Sequence, residues 1–245
     1  MSVNMFLDSA DEQMQSIQSM CQMYISEMEQ VKATITYFTA ETALKGRAYD
    51  AAKEYFEATY VPLANGIILI AEAVQKAAKK LVEEYRTEVD ENSLQEDALR
   101  NQLRQLGDLM EESTMCFAPS ATSLSGAEFS TNPFLPFYEN QKQEIQGKLD
   151  KLLSYDIASA TLFAEVESII VSVETGLRKV NSGRNFDVAT GIYATPAEDD
   201  SDWSQTIQNN YQEYLKVTKT GLLAGGYAST LNVLRAETVA SSKKN

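Results

Sequence analysis

The sequence predicts a mainly α protein: an elongated bundle of long antiparallel helices, a stalk, with a small irregular subdomain at one end that could hold a short sheet. Three observations carry this. Apolar residues recur at helical spacing over most of the 245 residues. Two Ser-x-x-Glu boxes stand where such patterns begin, at Ser9–Glu12 and Ser93–Glu96. Only two stretches, 113–136 and 181–203, concentrate Ser, Thr, Pro, Gly and Asn, and these are read as irregular excursions.

The first helix is expected to open at the Ser9 box. Met14, Ile17, Cys21, Tyr24, Met28, Val31, Ile35 and Phe38 follow in alternating steps of three and four. That spacing is the seam of a coiled coil or a long helical hairpin, and about 35 residues of it make a rod of roughly 50 Å. Thr42 to Tyr49 reads as the turn. Gly46 is the sole glycine before Gly66, and a glycine just past a helix end takes a left-handed conformation at little cost. Lys45 suits the negative end of the first helix, Leu44 packs back on its last turn, and small Ala48 lets the next helix leave close by.

The second helix starts near Ala48, with Tyr49, Ala52, Phe56, Leu63, Ile67, Ile70 and Val74 on one face and Leu81 and Tyr85 beyond. Pro62 is expected to kink or interrupt it. The stretch from Ile67 to Val74 is apolar nearly all round and should be the most buried part of the chain. A third helix runs from the Ser93 box through Leu99, Leu103, Leu106 and Met110. Period resumes near residue 138 and continues as one long helix through Leu149, Leu152, Val166, Ile169, Val173 and Val180. Within the second excursion, Phe186 to Tyr193 could form a short strand. A last helix carries Trp203, Ile207, Tyr211, Tyr214 or Leu215, Thr218 and Leu222 on one side. In a hairpin arrangement both excursions fall at the same end and could pack together. Residues 1–225 form the helical domain and 226–245 a linker or tail.

Composition narrows the function. A net charge of −14 argues against nucleic-acid partners and against docking on an anionic membrane. There is no histidine, the commonest general base and metal ligand. No P-loop, GxSxG, EF-hand or dinucleotide fingerprint occurs. The expectation is therefore no enzyme, no cofactor and no metal site. Asp199, Asp200 and Asp202 are read as a solvated acidic loop capping the next helix rather than a calcium ligand set. Cys21 and Cys116 lack CxxC context, so Cys21 is expected as a buried thiol, with a disulfide the minor alternative. The N-terminus lacks the basic and apolar regions of a signal peptide, and the best apolar run, Leu63–Val74, is short and broken by Asn65 and Glu72, so no membrane insertion is expected.

One resemblance adds to this. Leu44-Lys-Gly46-x-Ala48-Tyr49, between a heptad helix and a helix carrying Ala52, Tyr55-Phe56 and Val61-Pro62-Leu63, resembles the LXG family. The turn is also similar to the W-x-G turn of small helical-hairpin secretion proteins, with Leu44 in the tryptophan's place. The resemblance covers the layout from about residue 5 to 220 and is detailed over 35–75. It implies a non-catalytic targeting domain of a polymorphic antibacterial toxin, exported by a Gram-positive type VII secretion system without a cleavable signal, cytoplasmic before export. It implies two or more small α-helical WXG-like targeting or chaperone partners, recognition of the complex by the secretion system's membrane ATPase, and a toxin domain following the 226–245 linker. Leu44, Gly46 and Ala48 are the motif turn. Met14, Ile17, Tyr24, Met28, Val31, Ile35, Phe38, Tyr49, Tyr55 and Phe56 are the candidate partner-binding seam, which helix 48–85 or a partner hairpin could close. A helical pore-former using 63–74 and a cytoplasmic coiled-coil scaffold are the competing readings.

Overall fold

The computed structural model describes residues 2–116, 133–194 and 201–224, with side chains up to residue 218. The order is β1 (Asn4–Met5), α1 (Leu7–Ala40), α2 (Arg47–Glu88), β2 (Leu94–Gln95), α3 (Glu96–Cys116), α4 (Leu135–Ser159), a 3-10 turn (Ala160–Phe163), α5 (Ala164–Asn181), β3 (Phe186–Asp187), β4 (Ile192–Tyr193) and α6 (Asp202–Ala224). The mainly α class read from periodicity is the class observed. The chain forms two compact units. Met1–Ser19 with Val74–Ala164 make the first, and Met20–Ala73 with Glu165–Asn245 the second.

In the first unit, Leu7, Val82, Tyr85, Val89, Leu94, Leu99, Leu149, Leu152 and Tyr155 form the core. Two tyrosines sit inside it because each phenol finds a backbone acceptor. Tyr85 Oη donates to the Asn92 carbonyl at 3.1 Å and Tyr155 Oη to the Leu81 carbonyl. Their rings meet edge to face at 5.7 Å. Burial, seconded by nearby carboxylates, pushes both phenols up to about 12, so they stay neutral donors.

Neither Ser-x-x-Glu box caps a helix as the sequence predicts. α1 begins at Leu7, ahead of Ser9, with the Ala10 N–H on the Phe6 carbonyl at 2.9 Å. Ser93 and Glu96 serve the N-terminal strand instead. The Leu7 N–H donates to Ser93 Oγ at 2.9 Å and the Val3 N–H to Glu96 Oε2 at 2.8 Å. Antiparallel pairing of Asn4 with Gln95 and Met5 with Leu94 completes the junction. Two residues per strand are too few for an alternation signal, so β1 and β2 have no sequence signature.

In the second unit, α2 runs unbroken through Pro62, whose ring is fully buried. Burial of its neighbours Leu63, Ile68 and Leu69, about 1.5–3 kcal/mol per large side chain, offsets the roughly 3 kcal/mol that an interior proline costs. The deepest side chain of the Ile67–Val74 stretch is Ile68, while Ile67, Ile70 and Val74 of the expected face are half-buried. One 18-residue window of α2 reaches a mean hydropathy of 1.2, enough for a membrane span by composition, and 56% of it is buried inside the protein, as in a core helix. This window is longer than the 63–74 run weighed from the sequence.

Two glycines set the closest approaches in this unit. A Cβ on Gly66 would lie 2.5 Å from Val173 Cγ2, and one on Gly176 would lie 2.5 Å from Trp203 Cε3 and Cζ3 and 2.8 Å from Leu63 Cδ2. α6 docks its predicted face, burying Trp203, Ile207 and Tyr211. Tyr214 Oη donates to Glu72 at 2.9 Å, which gives the interrupting carboxylate a partner. Cys21 is a free buried thiol, its pKa raised by burial and by Glu72, and Cys116 is free and exposed.

Two further expectations are corrected. The single helix from 138 to 180 is two helices joined by a 3-10 turn, where the apolar stripe lapses and Ile157 is exposed. α3 continues to Cys116, inside the expected 113–136 excursion, whose residues 117–132 lie outside the described ones. The 181–203 excursion holds a two-stranded hairpin in the second unit, Phe186 opposite Tyr193 and Asp187 opposite Ile192. The 226–245 linker lies outside the described residues.

Two outcomes follow. Gly176→Ala forces a methyl into the indole ring, which is rigid and hemmed by Leu63, and is expected to cost about 1–3 kcal/mol in denaturant unfolding. Unchanged stability would show that Trp203 shifts freely. In the first unit, Asp90 accepts from Lys148 at 2.7 Å and from Asn92, and these bonds, against burial, hold its carboxyl below the ordinary value. A depressed folded value stabilises above the unfolded one, near pH 3.9, and the contribution disappears as pH falls through the folded value. Asp90→Asn should be less stable than the parent at neutral pH, and the two unfolding curves should converge as pH falls through the folded value.

Candidate functional site

The turn between α1 and α2 is not the helix stop that its glycine implies. α1 ends at Ala40, five residues earlier than a helix capped by Gly46 would end. Gly46 stands at the start of α2, where its carbonyl accepts the Asp50 N–H at 2.9 Å. Its φ of +114° is left-handed backbone, so glycine is required for conformation, while a Cβ there would meet nothing within 4 Å. Lys45 therefore does not cap α1. Leu44 is half-buried and Ala48 exposed on the first turn of α2, so Ala48 makes no close helix approach.

A residue the sequence reading missed holds this turn. Lys53 Nζ donates to the carbonyls of Glu41 and Leu44, the latter at 3.2 Å. The Ala43 N–H donates to Glu41 Oε1 at 2.7 Å. One ammonium thus ties together two carbonyls of the turn that follows α1. Its position two turns into α2 gives no sequence signal, since lysines on exposed helix faces are commonplace.

The seam divides into three classes. Cys21, Ile35 and Tyr55 are buried. Met28, Phe38 and Phe56 are half-buried in the second unit, and Met14 and Ile17 half-buried in the first, where Met14 packs on the core. Tyr24 (44%), Val31 (38%) and Tyr49 (46%) are exposed. The aromatic members are closed within the chain by the 186–193 hairpin. Tyr193 stacks on Tyr55 at 4.6 Å and meets Phe56 edge-on at 6.1 Å, and Phe56 in turn contacts Phe38 at 5.7 Å and stacks on Tyr60 at 4.9 Å. Sequence periodicity could not find this closure, because Tyr193 is 138 positions from Tyr55.

Beside the buried stripe runs a second row that the heptad reading did not separate. At about 100° per residue, Met20, Tyr24 and Val31 lie within about 40° of one another on the α1 circumference, and Met23 widens the row. Met20 is 48% and Met23 50% exposed, alongside the exposed Tyr24 and Val31. The signal was present in the spacing i, i+4, i+11, masked by the stronger stripe next to it. Lys32 lies on the other flank of the inward stripe, where its Nζ donates to Glu29 at 3.0 Å and to Tyr211 Oη at 2.9 Å and lies 4.7 Å over the Tyr211 ring. Burial opposes the ammonium, yet its bonds to Tyr211 and Glu29 prevail and raise its pKa. Among the described residues, no three His, Cys, Asp or Glu side chains gather as a metal ligand set.

The comparisons bear on what such a strip is for. The family model described as "LXG domain of WXG superfamily" matches residues 7–191. A Bacillus cereus protein named "Toxin" is 29% identical over 208 residues, covering 85% of this chain and 37% of its own length, so the chain spans little more than a third of that relative. With the family match extending over the turn, the apolar strip and both units, the chain belongs to the LXG domain family of the WXG superfamily.

Proposed function

We propose that this domain is the non-catalytic targeting module of a type VII secretion effector. It binds two or more small α-helical WXG-like proteins, and the complex is delivered to the membrane ATPase of the secretion system, with the toxic activity in a separate domain. The observation that carries the reading is the exposed strip of Met20, Met23, Tyr24 and Val31 on α1. Large exposed apolar side chains gathered on one helix face, here with Glu27 set between Tyr24 and Val31, are the ordinary receptor for another amphipathic helix. Methionines suit such a surface because their flexible thioethers fit more than one partner. The family membership and the relative named as a toxin support the same reading.

The face closed by Phe38, Tyr55, Phe56 and Tyr193 works on the inside, supporting the helix that presents the strip. Partner docking is thus assigned to Met20, Met23, Tyr24 and Val31, with Tyr49 at the start of α2 as a flanking contact.

Co-expression with the small helical proteins encoded beside the chain tests this. Met20→Glu with Tyr24→Glu is expected to weaken co-purification by tenfold or more while leaving the helical circular dichroism unchanged, since both side chains are about half exposed. Undiminished binding by that variant would remove the strip from the interface. A monomeric domain that binds none of the small proteins, or that permeabilises liposomes alone, would overturn the targeting reading, the latter in favour of a pore-former built on α2. At the turn, Gly46→Val is expected to cost about 1–2 kcal/mol of stability through backbone strain alone, with partner binding falling in parallel. Partner loss in a Gly46→Val protein of parental stability would instead place the turn in direct contact.

A further inference from the structure

The exposed strip on α1 contains one charge. Glu27 is itself exposed, and at about 100° per residue it falls within about 20° of the line through the middle of Met20, Met23, Tyr24 and Val31. Its neighbours one turn away, Met23, Tyr24, Gln30 and Val31, are uncharged, so the helix offers it no ion pair of its own. Among the described residues no hydrogen bond or ion pair engages it. Glu29, on the opposite face of α1, differs in this respect, because it holds Lys32 at 3.0 Å. Lys32 is the sole basic residue of α1 and is already bound to Glu29 and Tyr211.

Whatever covers this strip covers Glu27 with it, since the carboxylate stands among the apolar side chains, with Met23 on one side and Tyr24 and Val31 on the other. A carboxylate taken out of water without a partner cancels the gain from burying one or two large apolar side chains. An occupant that is apolar throughout therefore fits poorly. A second copy of the chain fits no better. Parallel pairing of two α1 strips sets Glu27 opposite its equivalent, and antiparallel pairing centred between Met20 and Val31 brings the two carboxylates within roughly 5 Å along the axis. The one basic residue of α1 lies on another flank and offsets neither arrangement.

We propose that the strip docks an amphipathic helix of a different protein that carries one lysine or arginine in the middle of its apolar stripe, and that Glu27 pairs with that cation and sets the register of the two helices. This rests on the assignment of partner docking to the strip and adds the chemistry the partner must supply. A long basic side chain suits the position, because its aliphatic stem packs on apolar neighbours while its charged head reaches the carboxylate. The Tyr24 ring beside Glu27 favours a cation further. An apolar row alone lets a partner slide by one turn, about 5.4 Å, since one apolar contact replaces another. With a single charge pair in the row, the same slide leaves two charges covered and unpaired, so register and partner choice both depend on Glu27.

The intact chain is produced with each small helical protein encoded beside it, and the affinity of the pair is measured at low and high ionic strength. Glu27→Gln is expected to weaken binding about fivefold and Glu27→Lys about fiftyfold or more at low ionic strength. Glutamine and lysine are good helix formers and the position is exposed, so helical circular dichroism and thermal unfolding stay at parental values. Glutamate in place of one lysine or arginine of the partner, and at one position only, is expected to restore binding to Glu27→Lys to within about threefold of the parent pair. Parental affinity in Glu27→Lys, or no restoration at any basic position of the partner, would overturn the pairing. The strip itself is then judged separately by Met20→Glu with Tyr24→Glu, which stays weak if docking occurs there without the ion pair. A parent chain that binds none of the small proteins overturns both the targeting reading and this inference. A parent dimer that Met20→Glu with Tyr24→Glu dissociates would put a second copy on the strip and overturn the inference as well.

Discussion

Burial along α2 is the constraint on which the rest of the structure depends. This one helix supplies Leu63, Ala64, Ile68, Leu69, Ala71 and Ala73 to the core of the second unit and Ala77, Ala78, Val82 and Tyr85 to that of the first. A helix covered on most of its circumference needs small residues where neighbours come close, as Gly66 does against the side chains of Val173 and Ile207. Pro62 survives in its interior for the same reason. Packing on both sides holds the helical path that an isolated peptide of this sequence would lose at the proline.

Polar groups follow from that burial. Glu72, set in the apolar stretch, is met by Tyr214, whose phenol is pushed up to about 12 by burial first and by the carboxylate second, so it remains a donor. Tyr85 and Tyr155 are tolerated at the centre of the first unit on the same terms, Tyr85 donating to the loop carbonyl of Asn92 and Tyr155 to the helical carbonyl of Leu81. At the junction of β1 and β2, Glu96 is held below its ordinary value first by the Val3 N–H and then by Arg100. Carboxylates and hydroxyls that the linear sequence offers to a helix end are thereby spent on a strand, because the strand brings unpaired N–H groups that have nowhere else to go.

The surface of α1 shows how one periodic pattern divides between core and surface. Cys21 and Ile35 face inward and are consumed by the core, while Met20, Tyr24 and Val31 stay outside. The turn that joins α1 to α2 contributes conformation more than contact. Gly46 supplies a left-handed residue at the helix start, and Lys53 closes the carbonyls behind it.

Local periodicity and residue chemistry by themselves determined the helical class, the inward faces of α5 and α6, the need for glycine at residue 46 and the lack of catalytic motifs. These properties depend on neighbours within a few positions, where helix geometry converts spacing into a face. Only the tertiary structure decided that Ser93 and Glu96 bind the N-terminal strand, that Tyr193 closes the aromatic end of the seam, and that Lys53 holds the turn. In each case the pairing is made by the folded chain, and no short-range pattern records which group will arrive.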